Sequence, residues 1–293
     1  VSGALGTKDA HLERRRRRAA AFRLFCAAMT CLGVVLLVVL LARIAKEGLP
    51  WLDLQFLASA PSRFPAKAGI LPSLAGSAWI VLITAVLSIP LGVGAAIYLE
   101  EYAPRNRATE ILEINLANLA GVPSIIYGIL GLALFVRGLA LGQSVLSGAL
   151  TMSLLVLPVI VVAAREAIRA VPLSFRHGAL ALGATRWQTV RHHVLPSALP
   201  GILTGIILSL SRAIGESAPL ILVGAVGYVA FLPATPMDEF SVLPIQIFNW
   251  TSRPQAEFHG IAAAGILVLL AALVLLNSAA LVIRERARRR RPW

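Results

Sequence analysis

Seven long stretches of this chain contain no Asp, Glu, Lys or Arg, or almost none: 24–42, 70–99, 114–136, 138–164, 194–211, 217–237 and 254–283, the last interrupted by Glu257 and the neutral His259. A helix needs about 20 consecutive apolar residues to cross a bilayer. With 58% hydrophobic and 14% charged residues in 293, the runs predict an all-α polytopic membrane protein. The segment 194–237 carries Arg212 and Glu216 in its middle, so it reads either as one span with a re-entrant tail or as two.

Positive charge decides the count, because Lys and Arg concentrate on the cytoplasmic side. With six spans, both termini share a side with the loops near 105 and 165–193. Twenty cations then lie there: Lys8, Arg14 to Arg18 and Arg23 in the first arm, Arg105 and Arg107, five in 165–193, and six from Arg284 onward. Arg43, Lys46, Arg63, Lys67, Arg137 and Arg253 fall on the other side, and Arg212 lies within the membrane. A seventh span strands the six tail arginines. The expected organisation is a basic cytoplasmic arm at 1–23, a first transmembrane helix at 24–45, a transmembrane domain at 70–283 with a cytoplasmic loop at 165–196, and a basic cytoplasmic tail at 284–293.

The net charge of +13 does not imply nucleic acid, since no aromatic residues interleave with the arginines as strand-binding surfaces require. Charge at membrane edges orients spans and attracts anionic lipid of the bilayer. Cys26 and Cys31 share the first span and read as packing residues. The 19 uncharged residues of that span and the charged LARIAKEG after it favour an uncleaved anchor over a signal peptide.

Local motifs for chemistry are missing. The sequence has no GxxxxGK[ST], HExxH, GxSxG or CxxC, so no catalytic residue, metal site or cofactor of its own is expected, and any ATP hydrolysis belongs to another subunit. His192 and His193 point to different helix faces, a poor metal pair. An intramembrane enzyme built on Ser209, Ser211, Ser217 or Glu216 lacks a histidine base in that span. A channel with no energy coupling is the other alternative.

The loop REAIRAVPLSFRHGALALGATRWQTVRHHVLP at 165–196 is the long cationic stretch between two apolar runs. It reads as two short helices hinged at Gly183, a docking element for a cytoplasmic partner. Pro172 closes one helix, and Ser174 is placed to cap the next, with Phe175, Ala179 and Leu182 on one face. Gly183 supplies a left-handed stop. Thr185 and Gln188 form a capping-box pattern for a second helix with Trp187, Val190 and Val194 on one side.

The same loop resembles the EAA motif of ABC importer permeases: aligning Gly183 and Leu195-Pro196 puts His177, Gly178 and Ala179 at the E-A-A positions and His193 at an isoleucine position. More specific segments surround it: LGVGAAIYLEEYAP at 91–104, NLAGVPSIIYGILGLALFVRG at 118–138, EAIRAVP at 166–172, GATRWQTV at 183–190 and LPGILTGIILSLSRAIGESAPL at 199–220. Together with the LN-containing last span, these are similar to the PstA-type permeases of phosphate-specific importers over roughly 75–285. The resemblance implies a MetI-like permease fold in a bacterial cytoplasmic membrane. It also implies a homologous PstC-type permease, two copies of a PstB-type ATPase and a periplasmic or extracellular phosphate-binding protein as partners. ATPase coupling then falls to the 174–190 helix pair, specifically Ser174, Phe175, His177, Gly178, Ala179, Leu182, Gly183, Ala184 and Thr185.

Arg212 and Glu216 are four apart, hence on one face of a fifth span, and Arg212 lies about 22 Å past Ser197 at 1.5 Å per residue. An intramembrane charge costs about 2.5–3.5 kcal/mol on insertion scales and marks a functional site by default. With phosphate as the implied substrate, Arg212 is expected to line its path, forking onto two oxygens, with Glu216 holding the guanidinium between events. Ser124 and Tyr127 are expected to present hydroxyls to the path where Pro123 bends the third span, and Arg137 to stand at the outer mouth. Glu100 and Glu101 read as solvated interface charges. One arginine does not distinguish phosphate from sulfate or molybdate.

Overall fold

The computed structural model describes residues 3–225 and 228–289, with side chains from Leu12 to Ala225 and from Tyr228 to Arg286. Lys8, His11 and the tail arginines Arg288 to Arg291 lie outside the described side chains. The described chain is helical in order: α1 Gly3–Gly48, α2 Leu54–Ala58, α3 Leu71–Ile97, α4 Arg107–Ala120, α5 Ser124–Gly131, α6 Val145–Arg169, α7 Leu173–Ala181, α8 Arg186–Thr189, α9 Leu195–Gly215, α10 Ala218–Val223, α11 Leu243–Thr251 and α12 Ala256–Arg289. Among the described residues five helical stretches are long and apolar enough to cross a membrane, Leu12–Trp51, Leu71–Tyr102, Val145–Arg169, Arg186–Gly215 and Ala256–Arg286. The count is six when α4 and the helix Ser124–Gly138, which meet at 101°, form one broken span.

The third apolar run, 114–136, bends at Pro123 as expected, and the bend is sharp enough to make two helices of it. Gly121, Val122 and Pro123 separate the two helices, and proline cannot continue the ladder of the helix before it. The next run is also shortened: 138–164 becomes α6 beginning at Val145, after a turn in which Ala140 and Gly142 adopt left-handed φ of 52° and 66°. Ser144 caps α6 through the Ser147 amide at 3.2 Å. The amides of Val145 and Leu146 donate to the carbonyls of Asp238 and Pro236 at 3.0 and 2.8 Å, so a distant loop satisfies helix-start donors that have no partner within the helix.

The core lies where α3, α6 and α9 pack, around Met152, Val156, Ile160, Val194, Ile202 and Phe240. Close approach of α6 and α9 depends on small residues: a Cβ at Gly205 collides with Ala163, and one at Gly201 sits 2.7 Å from Ala167. Spacing small residues four apart on both helices lets their backbones meet without a side-chain layer. A second cluster around Phe56, Ile70, Trp250, Phe258 and Ile261 closes the end opposite α7. There Gly48 lies against the Ala263–Ala264 backbone, which ties the end of α1 to α12.

Most of α1 is otherwise unpacked: none of its most apolar window is buried within the chain. Cys26 and Cys31 are exposed, which corrects their reading as packing residues. The Ser211 and Asn277 side chains hydrogen-bond between α9 and α12.

Candidate functional site

The 165–196 loop folds as one short helix and an elbow, rather than two hinged helices. α7 starts after Pro172, whose fixed φ suits a helix entry; no side chain caps it, so Ser174 lies inside the first turn and not at the cap. Gly183 takes φ +86°, the left-handed stop expected there. The capping box also forms, the Thr185 amide donating to Gln188 Oε1 at 2.8 Å and the Gln188 amide to Thr185 Oγ1 at 3.3 Å. The helix it starts does not end, however. α8 passes through a π-helical turn, Val190–Val194, directly into α9, so the second helix is the base of a span.

Exposure divides the loop by face. Ala179 is buried, as are Val190 and Val194. Leu182, expected to share the face of Ala179, lies past the last helical residue and is 91% exposed. Leu173, Leu180, Leu182 and Trp187 form an apolar exposed set, with His177, Gly178 and Thr185 exposed around it. Nothing approaches a Cβ built at Gly178 or Gly183 within 4 Å.

Glu100 and Glu101 are not solvated. They sit in a π-helical turn, Tyr98–Tyr102, that ends the α3 span, and their side chains are 17% and 9% exposed. Glu100 pairs with Arg165 at 3.3 Å and Arg169 at 3.1 Å, both at the end of α6. Arg165 reaches Glu113 of α4 as well, at 2.8 Å. Glu101 pairs with Arg176 of α7 at 2.7 Å. Arg165, Arg169, Arg176 and Glu113 went unrecognised in the sequence. The available signal was weak: i,i+4 arginines at a span end, facing two adjacent glutamates 65 or more positions away.

Arg212 and Glu216 pair at 3.2 Å, but not as two residues on one helix face. α9 ends at Gly215, and Glu216 follows in extended conformation with ψ 129°. Within this chain the Arg212 side chain is 52% exposed while that of Glu216 is 18% exposed; a guanidinium so placed has donors available for another ligand. α10 begins two residues after Glu216 and packs on α5, where Gly128 admits Pro219. Ser124 and Tyr127 are on that same α5. Tyr127 is buried and its hydroxyl donates to the Leu119 carbonyl at 2.9 Å. It fastens the α4–α5 bend and does not offer its hydroxyl to a path. Arg137 is exposed, at the far end of the π-helical turn Leu132–Gly138 that continues α5. The structure therefore joins Arg212 to Glu216, puts Ser124 on the neighbouring helix, and leaves Arg137 apart. Among the described residues no group of three His, Cys, Asp or Glu is placed to hold a metal.

Residues 88–289 match the family described as "Binding-protein-dependent transport system inner membrane component". The probable ABC transporter permease protein YqgI of Bacillus subtilis (strain 168) is 35% identical over 266 residues, covering 85% of this chain and 90% of the relative. The phosphate transport system permease protein PstA 1 of Mycobacterium tuberculosis (strain CDC 1551 / Oshkosh) is 35% identical over 236 residues, covering 79% and 75%. Among solved structures, a chain of the inward-facing MetNI methionine ABC transporter superposes with TM-score 0.58 at 17% identity, over 75% of this chain and 94% of that one. That last likeness is one of fold.

Proposed function

We infer from its place in a known family, since this chain belongs to the binding-protein-dependent transport system inner membrane components, that it is the permease subunit of an ABC importer for inorganic phosphate. The carrying observation is 35% identity to a phosphate transport permease over 79% of the chain. ATP hydrolysis belongs to a separate subunit in such transporters.

The finer assembly extends this reading. A PstC-type permease completes the pathway, two PstB-type ATPases supply energy, and a phosphate-binding protein delivers the anion at the end opposite α7. One ATPase copy seats on the exposed set formed by Leu173, Leu180, Leu182 and Trp187, around Ser174, Phe175, His177, Gly178, Ala184 and Thr185. His177 takes the position of the family glutamate, so docking here relies on apolar contact more than on a carboxylate. Both termini lie on the cytoplasmic side of a bacterial cytoplasmic membrane, as the distribution of Lys and Arg supports; anionic lipid meets the arm Arg14 to Arg18.

In the path, Arg212 is the anion ligand. Its planar fork matches two oxygens of a tetrahedral anion, and half of the side chain is free of the protein. Glu216 holds the fork when phosphate is absent and is displaced when it arrives. Because the glutamate lies beyond the helix end, its displacement breaks at most the Glu216 amide bond to the Ala213 carbonyl and leaves the ladder of α9 intact. Ser124 adds a hydroxyl from α5, and Arg137 attracts the anion at the outer mouth.

The test is uptake of labelled phosphate by the four-component complex in proteoliposomes, with unlabelled sulfate and molybdate as competitors. Uptake that phosphate alone suppresses supports the reading. Uptake suppressed equally by sulfate transfers it to another oxyanion, and no ATP-dependent uptake refutes it.

A further inference from the structure

We propose that α3, held to α7 by the Glu101–Arg176 pair, carries the movement of the ATPase seat to the opposite end of the protein. Arg176 is a positioning residue in this scheme. It does not belong to the exposed set of α7; its side chain is 14% exposed and points inward. The guanidinium makes four hydrogen bonds: Nε and Nη2 donate to Glu101 Oε1 at 3.0 and 2.7 Å, Nη1 to the Val171 carbonyl at 2.6 Å, and Nη2 to the Ile168 carbonyl at 2.9 Å.

The Ile168 carbonyl lies in the last turn of α6 and the Val171 carbonyl just past its end, the region where helix acceptors lack i+4 amides. One side chain on α7 therefore caps α6 and grips α3 together. A planar five-donor fork can span those three acceptors; an ammonium cannot. The pair is largely buried, so solvent screens it little.

The other end of α3 holds a different region. Ser77 Oγ accepts from the Leu243 amide at 2.9 Å, and Trp79 Nε1 donates to the Pro233 carbonyl at 3.1 Å. The loop so gripped also caps α6 through Pro236 and Asp238. Glu101 comes 24 positions after Ser77, about 36 Å of helix at 1.5 Å per residue. α3 carries Pro90 and ends in a π-helical turn, but it is packed along α6 in the core, so displacement of α7 through Arg176 is passed along it to the 233–243 loop, on the face where a delivering protein docks. The Glu100 pairs with Arg165 and Arg169 join α3 to α6 as well, so Arg176 is the side-chain link from α7 to a packed α3–α6 unit.

The inference rests on α7 being the ATPase seat. Its test uses the assembled complex and compares ATPase rates with and without phosphate-loaded binding protein. Arg176→Gln and Glu101→Gln are each expected to lower the stimulated-to-basal ratio about tenfold, the two together no further, and Arg176→Lys to fall between. The exchange Glu101→Arg with Arg176→Glu is expected to recover the ratio to within about threefold of wild type.

A second measurement needs no substrate. With Cys26 and Cys31 changed to serine, spin labels at Tyr98→Cys and Ala181→Cys should keep one separation in nucleotide-free and vanadate-trapped complexes. Adding Arg176→Gln should give two. An unchanged ratio in both Gln variants overturns the proposal, as does loss of assembly in both, which makes the pair an assembly contact. If wild type itself shows no phosphate stimulation while the label separation behaves as expected, the substrate reading fails and the coupling stands.

Discussion

Arg165 Nη2 lies 2.8 Å from Glu113 Oε1, joining the end of α6 to a helix that runs crosswise to the span it precedes. Arg165 is only 10% exposed and also serves Glu100. Removing one partner of a buried ion pair leaves uncompensated charge and typically costs about 3–5 kcal/mol. Arg165→Ala therefore leaves Glu113 without its arginine and Glu100 with Arg169 alone. A large drop in thermal midpoint of the detergent-solubilised complex is expected, with Glu113→Gln less severe. Equal stability of Arg165→Ala and wild type would remove the structural role assigned to this pair.

Tyr127→Phe separates a path role from a bend role. The lost bond to the Leu119 carbonyl costs about 0.5–1.5 kcal/mol. Phosphate uptake should stay within about twofold of wild type, with a lower thermal midpoint. A tenfold fall in uptake at unchanged stability would return the hydroxyl to the path.

Gly183→Val tests the left-handed stop. Space is free around the position, so the penalty is backbone strain alone, about 1–3 kcal/mol for a non-glycine residue in a sparsely populated conformation. Membrane insertion should be normal and ATP-coupled uptake reduced more than tenfold, while Gly183→Asn retains more. Normal uptake by the valine variant would sink the coupling role of the elbow.

Arg212→Gln should abolish phosphate-dependent ATPase stimulation in an assembled complex, with Arg212→Lys giving partial activity, since an ammonium keeps the charge but loses the fork. Stimulation that survives the glutamine would show that Arg212 does not contact the anion.

Asp238 gives a pH prediction for the 233–243 loop. The Thr235 amide, the Thr235 hydroxyl and the Ala234 amide all donate to its carboxylate, holding its pKa below the ordinary value of 3.8. A depressed folded pKa contributes stability above the unfolded value and loses it as pH falls through the folded one. Protection of the Ala234 and Thr235 amides, taken relative to the intrinsic exchange rate at each pH, should hold through neutral pH and fall only in acid below about pH 3.8, the ordinary value. In Asp238→Asn that acid step should vanish; its persistence would assign it elsewhere.

What the sequence revealed and what it concealed divide by distance along the chain. The capping box of Thr185 and Gln188 and the stop at Gly183 were readable because their partners lie within three residues. Hydropathy located the apolar helices for the same reason. The bend at Gly121–Pro123 had its breakers in view, but its 101° direction depends on Tyr127 reaching Leu119 and Glu113 reaching Arg165. Glu100 and Glu101 looked solvated because their arginines come 65 to 75 positions later. Arg212 and Glu216 pair as their spacing suggested, although the helix assumed to align them stops one residue short.

α1 joins the fold through its packing on α12, where Gly48 meets the Ala263–Ala264 backbone, and the turn at Leu49–Trp51, while residues 24–42 stay exposed on the described chain. Mutations along 24–42 thus escape the selection that packing imposes on α3 or α6. Whatever preserves this segment over generations must come from outside the chain, from lipid thickness or a neighbouring subunit. Its composition should drift with the membrane of its host while the bundle at 88–289 keeps its pattern.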